Sequence, residues 1–336
     1  MTRSPSSPSE AVEYFLEERK PEVSKQTQYN NKGHLKRFVL FLSREGVEDT
    51  TTLDGFILRQ FKTWLRNNRS VNEVTVGNYV STVRAFIKWC EKVDLVEDGL
   101  YEKMDYPHLE KEQLTKDVSI EPEAVDSILE YCYKFEYATL RHTVLHLIWH
   151  TTFRLGTVRA LDLDDWHSKR GFLELHHRPE TDTPLKNKQA AERQVNISEE
   201  VGDVLDDYIQ YHRNDVEDEY GREPLLTTEN CRAYDSLLRK HVYVLTRPCY
   251  YTGDCPHGRD QQECEAVPYN TASKCPDSVS PHPVRRSAIT KHLNSEWPTE
   301  LVSERANVSP DVLERHYDVR SKEEKRQKRR KYMDNL

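Results

Sequence analysis

The sequence contains no long apolar run: no stretch approaches the roughly 18 apolar residues that a membrane-spanning helix requires. Its opening segment, MTRSPSSPSE, also lacks the apolar region of a secretory signal peptide. The first absence excludes a transmembrane helix. Together the two absences predict a cytoplasmic protein with no membrane partner.

Basic residues are not in excess either. The 57 acidic residues outnumber the 49 basic ones, which gives a net charge of -8 at pH 7. Proteins that bind nucleic acids are usually basic, so this balance argues against such a partner. Two interpretations reconcile the charge with nucleic-acid binding: the basic residues are concentrated locally, or an acidic surface keeps the protein soluble in high salt.

What the chain does have is length and aromatic residues. Its 336 residues predict two domains. The 18 Tyr, 9 Phe and 5 Trp supply enough large side chains for two modest cores. Residues 1–9 are rich in Ser and Pro and predict a disordered tail.

Apolar residues recur at helical spacing through residues 10–105. Ser24 is a suitable N-cap for a helix that extends to Leu42, and a further helix begins at Thr75. The latter carries a stripe at steps of three and four residues: Val76, Val80, Val83, Ile87 and Cys90. Residues 10–105 are therefore predicted to be an all-helical domain. Periodicity alone does not distinguish this domain from a plain helical bundle.

The second half mixes helices with short strands. Residues 106–120 are polar and predict a linker, after which Pro122 opens a helix. Residues 140–149 are apolar on nearly every face, which indicates a buried helix. Residues 171–176 alternate as a strand does, and residues 185–197 predict a hairpin with a basic turn. The predicted fold is mainly α with a small antiparallel β-sheet.

The mixed domain is predicted to span residues 121–319, with a basic tail over residues 320–336. The tail predicts a basic helix, which without further information is a solvated charged helix.

The end of this domain carries residues suited to phosphate chemistry. His282 and Arg285 lie one turn apart at a predicted helix start, so both side chains face the same way. The arginine offers a fork of donors to a phosphate, and the histidine can exchange a proton. Tyr317 follows in a charged run. A tyrosine hydroxyl has a pKa of about 10 and becomes a plausible nucleophile only beside cations and a phosphorus centre.

An earlier arginine adds a second cation. Arg154 comes directly after the buried helix, and Gly156 breaks the register behind it. That position can present a guanidinium into a cleft. The alternative is an arginine in a surface ion pair.

Taken in order, these motifs resemble the catalytic domain of the tyrosine recombinase (phage integrase) family. Residues 153–161 resemble the first-arginine box around Arg154, with Leu161 and Asp165 at matching offsets. Residues 280–285 resemble the box that contains His282 and Arg285. Lys186 resembles the hairpin lysine of the family, with Lys188 as the alternative. Tyr317 resembles the nucleophile. Residues 10–105 resemble the helical core-binding domain of the family.

The resemblance implies an enzyme that breaks and rejoins DNA. Tyr317 would attack a phosphodiester and form a 3′-phosphotyrosine, while Arg154 and Arg285 would hold the non-bridging oxygens. Lys186 would protonate the leaving oxygen, and His282 would exchange the proton of the tyrosine. Catalysis would require no cofactor, because the phosphotyrosine bond conserves the energy of the broken phosphodiester bond for rejoining. The implied partners are double-stranded DNA and further copies of the chain, as a dimer or tetramer on DNA. The resemblance also implies that the basic tail contacts the DNA backbone or a neighbouring protomer.

Two departures from the family pattern keep a second function open. The family usually has Gly-His at the turn before the helix of the tyrosine, where this chain reads Ala306-Asn307. The Asn307 amide can bind a phosphate oxygen but cannot shuttle a proton. Thr157 replaces an acidic residue of the first box. The alternative is a catalytically inactive DNA-binding relative that acts in regulation or as an accessory factor.

Residues 249–275 form an insertion that contains four of the seven cysteines: Cys249, Cys255, Cys264 and Cys275. Four thiolates can fix a structural Zn²⁺ and make a loop without a core fold. The cysteines do not form C-x2-C pairs, so packed thiols and disulfides remain alternatives. A third function is a zinc-loop interaction module that does not bind DNA. The combination of this insertion with the sequence Asn307-Val308-Ser309-Pro310 resembles integrases of salt-loving archaea, which would also suit the acidic composition.

Overall fold

A computed structural model describes residues 7–69, 71–108, 118–295 and 297–317, together with 326 and 330. The chain divides into two compact units, Met1–Lys116 and Asp117–Leu336. Most of the predicted linker and nearly all of the predicted basic tail lie outside the described residues. No helix in the described ranges has the length and apolar character to cross a membrane.

In its described residues the first unit consists of four α-helices and two short 3-10 turns. Their bounds are α1 (Pro8–Arg19), α2 (Lys25–Arg44), α3 (Gly55–Arg69) and α4 (Glu73–Lys92). Ser24 caps α2 as predicted, since its hydroxyl accepts from the Thr27 N–H at 3.2 Å. The tail predicted for residues 1–9 extends too far. Ser7 and Glu10 form a capping box, so α1 begins at Pro8.

The core of the first unit is built on the predicted stripe of α4, whose five residues are fully buried. Aromatic rings from the other helices pack against it. Phe38 of α2 contacts Phe61 of α3 with ring centroids 5.0 Å apart, and Phe15 of α1 contacts Phe86 of α4 at 5.5 Å. Edge-on ring pairs of this kind add to the stabilisation from burial.

The second unit combines nine α-helices with a three-stranded sheet in the part of the chain that is described. The helices are α5 (Pro122–Phe135), α6 (Leu140–Thr151), α7 (Leu155–Ala160), α8 (Glu199–Asp207), α9 (Asp235–Leu245), α10 (Pro248–Tyr251), α11 (Pro281–Asn294), α12 (Thr299–Ala306) and α13 (Pro310–His316). The strands are β1 (Trp166–His167), β2 (Phe172–Leu175) and β3 (Arg193–Asn196). As predicted, α6 is buried on nearly every face.

The sheet has the order β1-β2-β3 and is antiparallel throughout. The prediction of a separate hairpin over residues 185–197 is wrong in one respect. Its second strand, β3, pairs with β2 through Phe172↔Asn196 and Leu175↔Arg193. Lys186 therefore lies in the loop between β2 and β3. A hydrogen bond from the Leu185 N–H to the His177 ring, at 2.9 Å, stabilises this loop.

A buried ion pair fixes the end of α7. Arg232 and Asp162 are each 6% exposed and are hydrogen-bonded to each other. The same guanidinium donates to the carbonyls of Arg159 at 3.0 Å and Leu161 at 3.1 Å. Since α7 begins directly after Arg154, this anchor also restrains that arginine.

Three histidines lie one turn apart along α6. The ring centroids of His142 and His146 are 5.2 Å apart, and those of His146 and His150 are 4.4 Å apart. One nitrogen of each ring is buried without a hydrogen-bond partner among the described residues. Burial lowers the pKa of His142 to about 4, of His146 to about 2 and of His150 to about 4. All three rings are therefore neutral at pH 7.

These histidines predict a loss of stability in mild acid. In the unfolded chain a histidine has a pKa of about 6.5, so below that pH the unfolded state binds more protons than the folded state. The contribution is present above pH 6.5 and is lost as the pH falls. We expect the free energy of unfolding to drop by roughly 1–2 kcal/mol per histidine between pH 7 and pH 5. Urea unfolding across this range should show a shallower slope for His146→Leu, and an unchanged slope would contradict the prediction.

Candidate active site

Arg154 is placed by the junction between α6 and α7. Thr152 ends α6 in the left-handed conformation, with φ 59°, and Arg154 is the N-cap residue of α7. Its side chain is half-buried, and its Nη2 donates to the Asn307 carbonyl at 3.1 Å. Burial lowers the pKa of the guanidinium, while the nearby Tyr317 phenol raises it. The predicted cation is therefore in a partly desolvated setting, where its interactions are stronger than in water.

Arg285 lies in the first turns of α11 and is 3% exposed. Its guanidinium donates to the carbonyl of Thr152 and, at 2.7 Å, to that of Ala306. Burial and the adjacent Arg154 lower its pKa, and Tyr317 raises it. In the described ranges neither guanidinium forms an ion pair with a carboxylate. The two side chains make a positively charged pair that is suited to an anion.

Tyr317 ends α13 and is 9% exposed. Its ring belongs to a small apolar cluster formed by α11, α12 and α13: Ile289, Leu293, Val302, Ala306, Val308 and Leu313. The phenol is close enough to Arg154 and Arg285 to interact with both charges. The structure thus brings the three predicted residues together from distant parts of the chain.

His282 and Lys186 lie at the edge of this group. His282 is exposed overall, yet neighbouring atoms desolvate its ring, and this is the main cause of a lowered pKa. The charges of Arg285, Lys186 and Arg154 lower the pKa further. The interaction with His282 favours Lys186 over Lys188 as the lysine of the site.

Asn307 follows α12 with a φ of 49°, a left-handed conformation that favours glycine. Its carbonyl accepts from Arg154 Nη2 at 3.1 Å, and its Oδ1 accepts from Asn187 Nδ2 at 3.0 Å. The sequence pattern predicts Asn307 at the histidine of the Gly-His pair; its left-handed backbone corresponds to the glycine instead, and Val308 follows where the histidine would be. A phosphate-binding role for the Asn307 amide remains a prediction.

One neighbour of the site was not predicted from the sequence. Arg193, at the start of β3, interacts electrostatically with both Arg154 and Arg285. Its Nη2 donates to the carbonyl of Arg305 at 2.8 Å. Only its closeness to the predicted basic turn could have indicated a role.

The cysteine-rich insertion has little regular structure. Burial raises the pKa of the Cys249 thiol, and the thiols of Cys255 and Cys275 raise it further, so these three lie near one another. Cys264 is half-buried in the same segment. Among the described residues, no three His, Cys, Asp or Glu side chains are arranged to hold a metal ion as they stand. The insertion thus supplies the donor chemistry for zinc without a closed ligand set.

The comparisons with known proteins concern the first unit and the whole fold. Residues 9–106 match the family model of the phage integrase SAM-like domain, and this range covers the predicted helical domain. No curated protein matches the chain significantly by sequence.

Solved integrase structures share the fold over nearly the whole chain. The integrase of transposon Tn1549, in complex with a circular intermediate DNA, has 11% identity and a TM-score of 0.70 over 98% of this chain and 100% of that chain. A lambda integrase dimer bound to a COC' core site has 9% identity and a TM-score of 0.63, covering 93% of this chain and 96% of that one.

A third match concerns the N-terminal domain of a phage integrase/site-specific recombinase from Haloarcula marismortui. It is 25% identical over 31% of this chain and 100% of that chain. Its TM-score of 0.30 is too low to support a structural argument. The two longer matches confirm the predicted fold class: a mainly helical chain with a small antiparallel sheet, similar to solved tyrosine recombinases.

Proposed function

We propose that this chain is a site-specific DNA recombinase that cleaves and rejoins DNA through a covalent tyrosine intermediate. The observation that carries the proposal is that Arg154 and Arg285 bond to the carbonyls of Asn307 and Ala306, directly before the helix that ends at Tyr317. A half-buried and a buried guanidinium without carboxylate partners in the described ranges support a phosphate-binding role for the pair. The electrostatic effect of Tyr317 on both arginines supports its role as the nucleophile.

The proposed reaction begins with attack of the Tyr317 oxygen on a DNA phosphorus. The phosphorus–O5′ bond breaks, a 3′-phosphotyrosine forms, and the 5′-hydroxyl leaves. Arg154 and Arg285 stabilise the charge that builds on the non-bridging oxygens. His282 takes the phenol proton. Its lowered pKa keeps the ring neutral at pH 7, so the ring can accept this proton. Lys186 donates a proton to the leaving oxygen, and the reverse sequence rejoins the strand.

The second candidate is an inactive relative that binds DNA without cleaving it. The observation in its favour is that Asn307 is already engaged within the protein: its backbone carbonyl accepts from Arg154 and its side-chain Oδ1 accepts from Asn187. No imidazole occupies this turn. The inactive relative is the correct interpretation only if the absence of a histidine from this turn abolishes cleavage.

A nicked DNA substrate separates these functions, because cleavage beside the nick releases a short fragment and traps the covalent complex. The proposed enzyme gives an adduct that resists denaturant. The inactive relative shifts the DNA without an adduct. An interaction module that does not bind DNA gives neither result, and either of the last two outcomes would refute the enzyme.

We also propose double-stranded DNA and further copies of the chain as partners, with the first unit contributing DNA contacts. The match of residues 9–106 to the phage integrase SAM-like domain supports this proposal. The net charge of -8 supports a host with high internal salt, such as a salt-loving archaeon.

The cysteines give a separate prediction about metal. If Cys249, Cys255 and Cys275 bind a structural Zn²⁺ with a fourth ligand, purified protein should contain about one equivalent of zinc. Chelation should then increase proteolysis within residues 249–275, because this segment has little core of its own. Cys90→Ser, which changes a buried thiol of the other unit, should leave the zinc content unchanged. Metal-free protein with the same protease resistance would rule out the zinc site.

A further inference from the structure

We infer that Arg193 is a positioning residue of this active site, and that with Asn187 it holds the turn at residues 305–307 against which Arg154 and Arg285 are aligned. The inference rests on the proposed function for its catalytic consequence. Its structural content is independent of any activity.

The turn has three consecutive carbonyls, and each accepts a hydrogen bond from a different arginine. Arg193 Nη2 donates to the carbonyl of residue 305 at 2.8 Å, and Arg285 Nη2 to that of residue 306 at 2.7 Å. Arg154 Nη2 donates to the carbonyl of residue 307 at 3.1 Å. These carbonyls lie at the C-terminus of α12, where a helix leaves acceptors unpaired and its dipole attracts cations.

This arrangement orients the two phosphate-binding arginines and leaves most of their N–H donors available for a ligand. A guanidinium has five N–H donors, and the bond to the turn uses one of them. The turn therefore fixes the plane of each fork, while other donors of Arg154 and Arg285 remain for a ligand. Any movement of the turn would change both orientations together.

Of the three arginines that bond to the turn, Arg193 is the one that has no proposed contact with the phosphate. Its Nη1 donates to the Ala191 carbonyl at 2.7 Å, and its guanidinium lies 5.4 Å from the ring centroid of Phe153. Phe153 is fully buried and directly precedes Arg154. Arg193 thus connects three parts of the site: strand β3, the backbone that carries Arg154, and the turn. Its Nε is buried and has no partner among the described residues.

The charges around Arg193 explain why a fixed geometry is needed. Arg154 and Arg305 repel it, and Glu304 attracts it. Arg305 is itself bonded to the carbonyls of His150 at 2.9 Å and Asn196 at 3.0 Å. Several guanidiniums are therefore packed against carbonyls rather than carboxylates, and weakening one bond would let the others move apart.

Asn187 connects the same turn to the lysine loop. Its Nδ2 donates to Asn307 Oδ1 at 3.0 Å, and its chain neighbour is Lys186. The turn at residues 305–307 is thus bonded to both phosphate-binding arginines and to Asn187, the chain neighbour of the predicted general acid.

The test compares Arg193→Gln and Asn187→Ala with a matched control, Arg170→Gln. Arg170 is an exposed arginine of the same sheet region, stacked over Phe172, so its replacement removes the same charge without touching the turn. On nicked DNA we expect Arg193→Gln to slow single-turnover adduct formation by about 10- to 100-fold, because small misplacements of reacting groups are costly. DNA affinity should change by less than about two-fold, since other contacts determine it. The control should match the wild type.

A second readout does not depend on catalysis. Hydrogen exchange of the peptide that contains residues 303–308 should be faster in Arg193→Gln and unchanged in Arg170→Gln. If Arg193→Gln does not fold, the exposed Asn187→Ala takes its place in both measurements. Unchanged exchange in a folded variant would overturn the inference even if the wild type cleaves DNA. Absence of an adduct in the wild type, with faster exchange in the variant, would refute the proposed function and leave the positioning role supported.

Discussion

Tyr317→Phe is expected to give a folded protein that binds DNA normally and forms no covalent adduct. The ring is 9% exposed and packs among Leu313 and the apolar residues of α11 and α12. The backbone of Tyr317 contributes two further contacts: its N–H donates to the Leu313 carbonyl at 3.0 Å, and its carbonyl accepts from Thr290 at 3.4 Å. Phenylalanine keeps all of these and removes only the hydroxyl.

The expected loss of adduct formation is at least about a thousand-fold, since a missing nucleophile cannot be compensated by its neighbours. Adduct formation on nicked DNA measures the effect, and peptide mapping identifies the residue linked to DNA. Affinity for the same DNA should be unchanged within about two-fold, because backbone contacts elsewhere dominate it.

Tyr332→Phe is the matched control. Tyr332 is the other tyrosine near the C-terminus, follows the basic run and lies outside the described residues. Its replacement should leave cleavage intact. An adduct that persists in Tyr317→Phe, or that maps to another residue, would overturn the assignment of the nucleophile.

The main parts of the candidate site could be proposed from the sequence because each part has a local signature. Arg154 follows a helix that is apolar on every face, and His282 and Arg285 are spaced by one helical turn. Such patterns depend on residues within a few positions of one another, so they can be read without a structure. The stripe of α4 was predictable for the same reason, and all of its residues are buried.

The rest of the site depends on contacts between distant residues. Arg193 and Arg305 are 112 positions apart, and Asn187 and Asn307 are 120 apart. The partners of Arg193 are carbonyls, which every residue carries, so no residue type in the sequence marks them. The pairing of β3 with β2 was not predicted for a related reason. Strands of four residues show too little alternation to identify the strand with which they pair.

Arg285→Lys is expected to remove cleavage almost as completely as loss of the tyrosine. Arg285 is 3% exposed and donates to the carbonyls of both Thr152 and Ala306, contacts that a planar fork makes at once. A lysine ammonium is a compact point charge and cannot reproduce this geometry while also holding a phosphate oxygen. Removing one preorganised donor of this kind typically costs a factor of about 100 to 1,000 in rate.

The measurement is again adduct formation on nicked DNA, together with DNA affinity and thermal unfolding. We expect affinity to remain within a few-fold of the wild type, because one phosphate contact among many changes binding little. Arg170→Lys makes the same substitution at an exposed arginine of the same unit and should have no effect. Thermal unfolding separates the catalytic effect from damage to the fold, since Arg285 also bonds to the turn. Cleavage by folded Arg285→Lys at a rate near that of the wild type would mean that Arg285 does not hold the reacting phosphate, and the site would have to be assigned again around Arg154.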